Sequence, residues 1–428
     1  MNKNLSKRSV SSVWHPFTQM KTAAQPIAIT KGKGTLLYTE EGEEIIDAIS
    51  SWWTTIHGHA HPYIAEKIKE QADTLEHVIF AGFTHEPAVR LSERLLEKLP
   101  DNQSKTFFSD NGSTSVEVGI KMAFQYWYNL GEEKTKIIAF KQAYHGDTFG
   151  AMSVGNRSDF SKPFAPFLFD VAFVESPALD FDKCLEQISN HVKNEDVAAI
   201  IFEPLVQGSC GMLMYSPEQL EQIMQLCKLH NVLVIADEVM TGFYRTGKFF
   251  ATDHCTTNPD IFCLSKGLTG GVMAMSITTC TQEIYNAFLS DKLMEKTFFH
   301  GHSFTANPIA CATANASLDL IEQEETQAQI AMIVERHQLF AEKLRTYDCI
   351  ENIRQQGTIV AFDIIDKSTA GYGSSIRDKI YYFFLEKGIL LRPLGNTVYI
   401  LPPYCISKEQ LDIVYSAIEE LLVQDFIF

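Results

Sequence analysis

Six short apolar runs, most of them closed by polar residues, set the tightest limit on how this chain can fold. They are "KTFFSD" (105–110), "KIIAF" (136–140), "AAIIFEPL" (198–205), "NVLVIADE" (231–238), "DIFCLSK" (260–266) and "MAMSITT" (273–279). Runs of four to six apolar residues without alternation suit strands buried on both faces. Helical patterns separate them. After the first run, "STSVEVGIKMAFQYW" places Val116, Ile120, Ala123, Phe124 and Trp127 on one helical face. Strands alternating with helices predict an α/β fold built on a mainly parallel sheet covered on both sides.

In such sheets, ligands bind at the carboxyl ends of the strands. Those ends read Ser109-Asp110-Asn111-Gly112, Tyr144-His145-Gly146-Asp147, Glu203, Asp237-Glu238 and Lys266. The stretch 305–347 reads as a long helical segment leaving the sheet, and a smaller α+β unit follows from about residue 350. Within that unit "DKSTAGYGSS" (366–375) is expected to be a loop and not a linker between domains.

Charge and cysteine usage exclude several partners. The 428 residues carry a formal net charge of −17, which disfavours nucleic acid and anionic membranes. Nine cysteines occur singly at 184, 210, 227, 255, 263, 280, 311, 349 and 405, with no C-x-x-C pair, which points to a reducing compartment. Lys3, Lys7 and Arg8 are not followed by an apolar signal core, and no run approaches the ~18 apolar residues of a membrane span. A cytoplasmic protein is expected.

Four motifs compete for the chemistry. "HGHAH" would align His57, His59 and His61 on one face of an extended segment, as in a metal cluster. No carboxylate or thiol sits at a matching spacing, and Gly58 and Pro62 favour a turn, so no metal is expected. "GFYRTGKF" (242–249) approaches a phosphate loop, but Phe249 stands where the Mg²⁺-binding hydroxyl belongs. "SDNGSTSVE" sets Gly112, Ser113 and Thr114 at a helix start, where backbone N–H groups and the helix dipole favour an anion. The competing reading there is plain N-capping by Ser113, with Glu117 in the first turn. Lastly, Asp237 and Lys266 close two apolar strands separated by one connection. They would form a structural ion pair, or the acid and the amine that pyridoxal 5'-phosphate requires. A phosphate site and the aromatic Tyr144 on the same sheet edge complete the second reading.

At this point the chain resembles the class III (ω-) aminotransferases of the aspartate aminotransferase fold. The resemblance rests on "FFSDNGSTSVEVGIKMA", "AYHGDTFGAMSV", "IFEPLVQGSCGM", "LVIADEVMTGFYRTGKFF", "DIFCLSKGLTGG" and "HGHSFTANPIACATA", across about 107–313. "VWHPFTQM", the pair Trp52-Trp53 and "LRPLGNTVYILPPY" are similar to the subgroup that works in biotin synthesis. The resemblance implies fold type I of the pyridoxal-phosphate-dependent transferases, with a large cofactor domain (51–320) and a C-terminal small domain (321–428). Residues 1–50 would join the small domain and cover the active site.

The resemblance also implies roles. Lys266 would carry the cofactor covalently, Asp237 would face its pyridine nitrogen, Tyr144 would stack on its ring, and Gly112 and Ser113 would hold its phosphate. Ser303 stands where the family often has a threonine that donates to the neighbouring subunit's phosphate, so a homodimer with shared sites is expected. His302 replaces a proline found in some members. Arg392 would bind the keto-acid carboxylate, and Phe17, Trp52, Trp53, Asp147, Arg245 and Gly301 would shape the substrate pocket. The aromatics of "WHPF" (14–17) would then cover a ligand; the alternative is a staple onto the small domain. The implied reaction converts 8-amino-7-oxononanoate to 7,8-diaminononanoate with S-adenosylmethionine as amino donor. Lysine as donor, another ω-aminotransferase activity and a non-catalytic binder on the same scaffold are the alternatives.

Overall fold

The strands expected from the apolar runs meet in one sheet. In the computed structural model, which describes residues 4–365 and 376–424, seven strands lie side by side. Their order is Gln103–Ser109, Ser276–Thr281, Ile261–Leu264, Leu233–Asp237, Val197–Phe202, Lys136–Phe140 and Ala172–Val174. Ser276–Thr281 runs antiparallel to both neighbours, while the pairings from Ile261–Leu264 through to Ala172–Val174 are parallel.

The lack of sequence alternation has a simple cause. Ile138, Ile200, Val234 and Phe262 pack into the core on one face, and Ile137, Ile201, Ile235 and Ile261 into the core on the other. Side chains alternate between faces as in any strand, but both faces are dry.

The helix Gly112–Leu130 covers the second face through Val116, Ile120, Ala123 and Trp127. The helical stretch 305–347 is two helices, Pro308–Ile321 and Glu324–Leu344, broken where Gln323 adopts an extended conformation. A smaller antiparallel sheet joins Ile350–Gln356, Ile359–Ile364 and Thr397–Ile400. The strands Ile29–Lys33, Leu36–Thr39 and Glu44–Asp47 are extended by Ile389–Leu390, so both ends of the chain share a sheet. The loop expected at 366–375 lies outside the described residues. All nine cysteines are free thiols, and among the described residues no helix is long and apolar enough to cross a membrane.

Near the amino end, Leu5–Ser12 is a helix whose first N–H donates to Glu40. Trp14 beyond it is 88% exposed, so it covers no core among the described residues.

Candidate active site

Strand order places the chemistry. Asp237 ends its strand directly opposite Cys263 of the neighbouring strand, whose chain continues through Ser265 into Lys266. Lys266 opens a 3-10 turn at φ 49°, in the left-handed region that non-glycine residues seldom enter. Its amine lies 4.8 Å from the centroid of the Trp53 ring. Burial lowers this amine to about 8, with Asp237 and Glu203 opposing the shift and Arg245 adding to it. That leaves more free amine at neutral pH than an ordinary lysine has.

Asp237 has a partner that sequence reasoning missed. Nδ1 of His145 lies 2.6 Å from Asp237 Oδ2, and the backbone N–H of Val239 donates to Oδ1 at 3.2 Å. The His145 ring is enclosed, and its Nε2 has no hydrogen-bond partner among the described residues. Glu203 was visible only as a polar strand end. It accepts from the backbone N–H groups of Tyr144 and Gly208, both at 2.9 Å, and burial pushes its carboxyl up to about 7.

The helix start departs from the expected capping. Asn111, not Ser113, is the N-cap, in a reciprocal box with Thr114, because Asn111 is the residue with extended backbone there. Ser113 is thereby left to accept from the Asp147 N–H at 3.2 Å. Around it the backbone packs without room for side chains. A Cβ on Gly146, which sits at φ 127°, would fall 2.0 Å from Ser113 Oγ, and one on Gly112 would fall 2.8 Å from Val239 Cγ1.

These groups open on one cavity of about 610 Å³, lined among others by Trp53, Ser113, Tyr144, Asp147, Asp237 and Lys266. The Tyr144 ring is 38% exposed, while its hydroxyl is held above its ordinary value by burial and then by the Asp147 carboxylate. Beside the cavity, Trp52 lies 5.7 Å from the Phe17 ring and 5.3 Å from the Arg392 guanidinium. Gly301 and Ser303 are exposed and line no part of the cavity, although His302 reaches Asp110 at 3.1 Å. Arg245 differs from expectation. It is 1% exposed, packs over Tyr404, donates to the Pro402 carbonyl and does not line the cavity. In the "HGHAH" turn, His57 bonds to Ser317 and is held down to about 3 by burial, and His59 pairs with Asp47. His61 instead lies edge-on to the His57 ring, 6.3 Å between centroids, so His57 and His59 are committed to Ser317 and Asp47.

A buried amine facing a carboxylate, beside a glycine-lined helix start, is an arrangement that the family comparison resolves. The family model for aminotransferase class-III matches residues 18–422. The chain belongs to this family. An adenosylmethionine-8-amino-7-oxononanoate aminotransferase of Synechococcus elongatus is 47% identical over 419 residues, spanning 96% of this chain and 98% of its own. A relative of the same name from Geobacter sulfurreducens is 39% identical over 432 residues, 95% of each chain. Among solved structures, the adenosylmethionine-8-amino-7-oxononanoate aminotransferase of Methanocaldococcus jannaschii matches with a TM-score of 0.91 at 35% identity, covering 97% of this chain and 98% of that one. An amine transaminase from an uncultivated Pseudomonas species, in its PLP-bound form, matches with a TM-score of 0.89 at 26% identity, covering 95% and 97%.

As a class III aminotransferase, the chain is a transaminase that works with pyridoxal 5'-phosphate. The residues present fit that group. The glycine-lined helix start suits a phosphate. The Asp237 carboxylate, fixed by His145, suits a protonated ring nitrogen, and the Lys266 amine suits an aldehyde.

Proposed function

We propose that this chain is an adenosylmethionine-8-amino-7-oxononanoate aminotransferase of biotin synthesis, aminating 8-amino-7-oxononanoate to 7,8-diaminononanoate with S-adenosylmethionine as donor. The observation that carries the reading is the near full-length 47% identity to the Synechococcus elongatus enzyme of that name. The Phe17–Trp52–Arg392 cluster supports it, because a cation over the Trp52 indole, which itself packs against Phe17, suits a carboxylate on an aliphatic chain.

Each residue then has a task. Gly112 and Ser113 would hold the phosphate, Tyr144 would lie against the ring, and Asp237 would keep the pyridine nitrogen protonated. When bound, pyridoxal 5'-phosphate takes up the amino group and accepts the electron pair left on the donor carbon. Lys266 Nζ, lowered to about 8, is suited to take the proton from the donor carbon and to return a proton to the acceptor carbon in the second half-reaction. The donor leaves as a ketone and the acceptor ketone becomes an amine, so the two half-reactions balance without net oxidation. Trp53, whose indole N–H donates to the Tyr399 hydroxyl at 2.9 Å, walls the lysine side and would limit access of water there.

Phe17 bears on the donor. It lacks the hydroxyl that tyrosine would offer in this motif, and one such hydrogen bond is worth about 0.5–1.5 kcal/mol, too little to exclude S-adenosylmethionine. Trp52 and Trp53 offer faces for an adenine ring or, through cation–π attraction, a sulfonium. The test supplies the purified holoenzyme with 8-amino-7-oxononanoate and either donor, and measures 7,8-diaminononanoate by mass spectrometry. Product is expected with S-adenosylmethionine and little with lysine. Product with lysine alone would replace the donor, and none with either would overturn the reading.

We further propose a homodimer and the division at residues 50 and 320. The exposed Leu293, Met294, Phe299 and Phe304 flank Gly301 and Ser303, which suits a face covered by a second copy. Light scattering should give about twice the 48.2 kDa chain mass, and a fully active species near 48.2 kDa would refute it.

A further inference from the structure

We propose that Asp47 is the positioning residue that sets both tryptophans of the active site, with His59 fixing its carboxylate from behind. The segment Ser50–Trp53 is an unusual piece of backbone. Ser50 has φ 51°, Ser51 φ 58° with ψ −87°, and Trp53 φ 64°. None is glycine, so each holds a Cβ in a sparsely populated region, and Ser51 lies near the rare γ-turn geometry. Such backbone persists only where its surroundings over-determine it.

Asp47 supplies that determination. It is fully buried, and four donors converge on its carboxylate. Ile49 N at 3.1 Å and Ser51 N at 2.9 Å donate to Oδ1, while Ser51 Oγ lies 3.0 Å and His59 Nε2 2.9 Å from Oδ2. Three of the four come from the turn itself, so the carboxylate accepts the donors that a distorted backbone cannot return to its own carbonyls. The opposite side is pressed by the turn that follows Lys266, since a Cβ on Gly271 would fall 2.5 Å from the Thr54 carbonyl carbon.

The product of this geometry is a pair of indoles sent to two ends of one site. Trp53 lies over the Lys266 amine and is tied to Tyr399, whereas Trp52 lies over the Arg392 guanidinium. Asp47 lines no part of the cavity and acts only through the turn. Without it, the turn relaxes toward ordinary backbone. Trp52, 47% exposed, then moves first, because Trp53 keeps its tether to Tyr399. The loss therefore falls on binding of the keto acid and spares the chemistry at Lys266.

This rests on the functional reading above for the substrate whose KM is measured. In the Asp47→Ala holoenzyme, KM for 8-amino-7-oxononanoate should rise about tenfold while kcat stays within about threefold and cofactor content is unchanged, the scale of losing hydrogen bonds to one charged acceptor. The near-ultraviolet circular dichroism of the indoles should change in parallel. Adding Ser51→Gly, which accepts φ 58° without help, should recover both signals. A folded Asp47→Ala enzyme with wild-type KM and indole signal would overturn the proposal, as would losses that Ser51→Gly does not recover. If Asp47→Ala does not fold, His59→Leu, which removes one donor of the four, should raise KM about threefold, and an unchanged KM would overturn it. If the wild type does not aminate 8-amino-7-oxononanoate, the functional reading fails while the dichroism arm still decides this one.

Discussion

Replacing Lys266 by alanine should lower transamination by more than about ten-thousandfold, since it removes both the nucleophile and the proton carrier at one position. The fold should persist. The amine is buried and makes no hydrogen bond among the described residues, so its removal takes away a desolvated group and leaves space beside Trp53. Circular dichroism and a thermal melt of the variant should match the wild type or lie slightly higher. Normal transamination by the purified variant would sink the assignment of Lys266 and the mechanism built on it.

Asp237→Asn should keep the cofactor bound yet slow turnover by about a thousandfold, in the range seen when one oriented electrostatic partner is neutralised. The asparagine is isosteric and preserves the contact position of His145, but an amide cannot balance a protonated ring nitrogen. Single-turnover rates at pH 6 and pH 8 separate the alternatives. Among the described residues, the other carboxylates lining the cavity are Asp147, which is exposed, and Glu203, which is enclosed and raised by burial to about 7. A variant that stays slow at both values keeps the role with Asp237. Recovery at pH 8 alone would transfer it to Glu203, which is charged only above its raised value.

What the sequence made legible follows from where free energy is local. The strands were readable because burial on both faces requires unbroken apolar runs, and "KIIAF" coincides with the strand Lys136–Phe140. Ala172–Val174 was not readable, since three residues at a sheet edge carry too little pattern. Asp237 and Lys266 stood out because each closes such a run. His145 did not, because its bond to Asp237 joins a loop to a strand end 92 positions away and leaves no spacing to find. The N-cap fell on Asn111 and not Ser113 because capping is decided by one residue's backbone angles. Arg245 was placed by resemblance in the substrate pocket, yet Pro402 and Tyr404, far along the chain, hold it buried and out of the cavity lining.

The sheet shared by the two ends of the chain has a consequence for synthesis. Glu44–Asp47 gains its parallel neighbour only from Ile389–Leu390, about 340 residues later. At ribosomal speeds of roughly 5–20 residues per second, that interval lasts roughly 20 to 70 seconds. Throughout it, the strand that ends in Asp47 has one open edge, and the turn carrying both tryptophans lacks Leu401, whose backbone accepts from Ser50 and donates to Ala48. The substrate side of the pocket is therefore completed more than a hundred residues after Ser276–Thr281, the last strand of the large sheet to be translated.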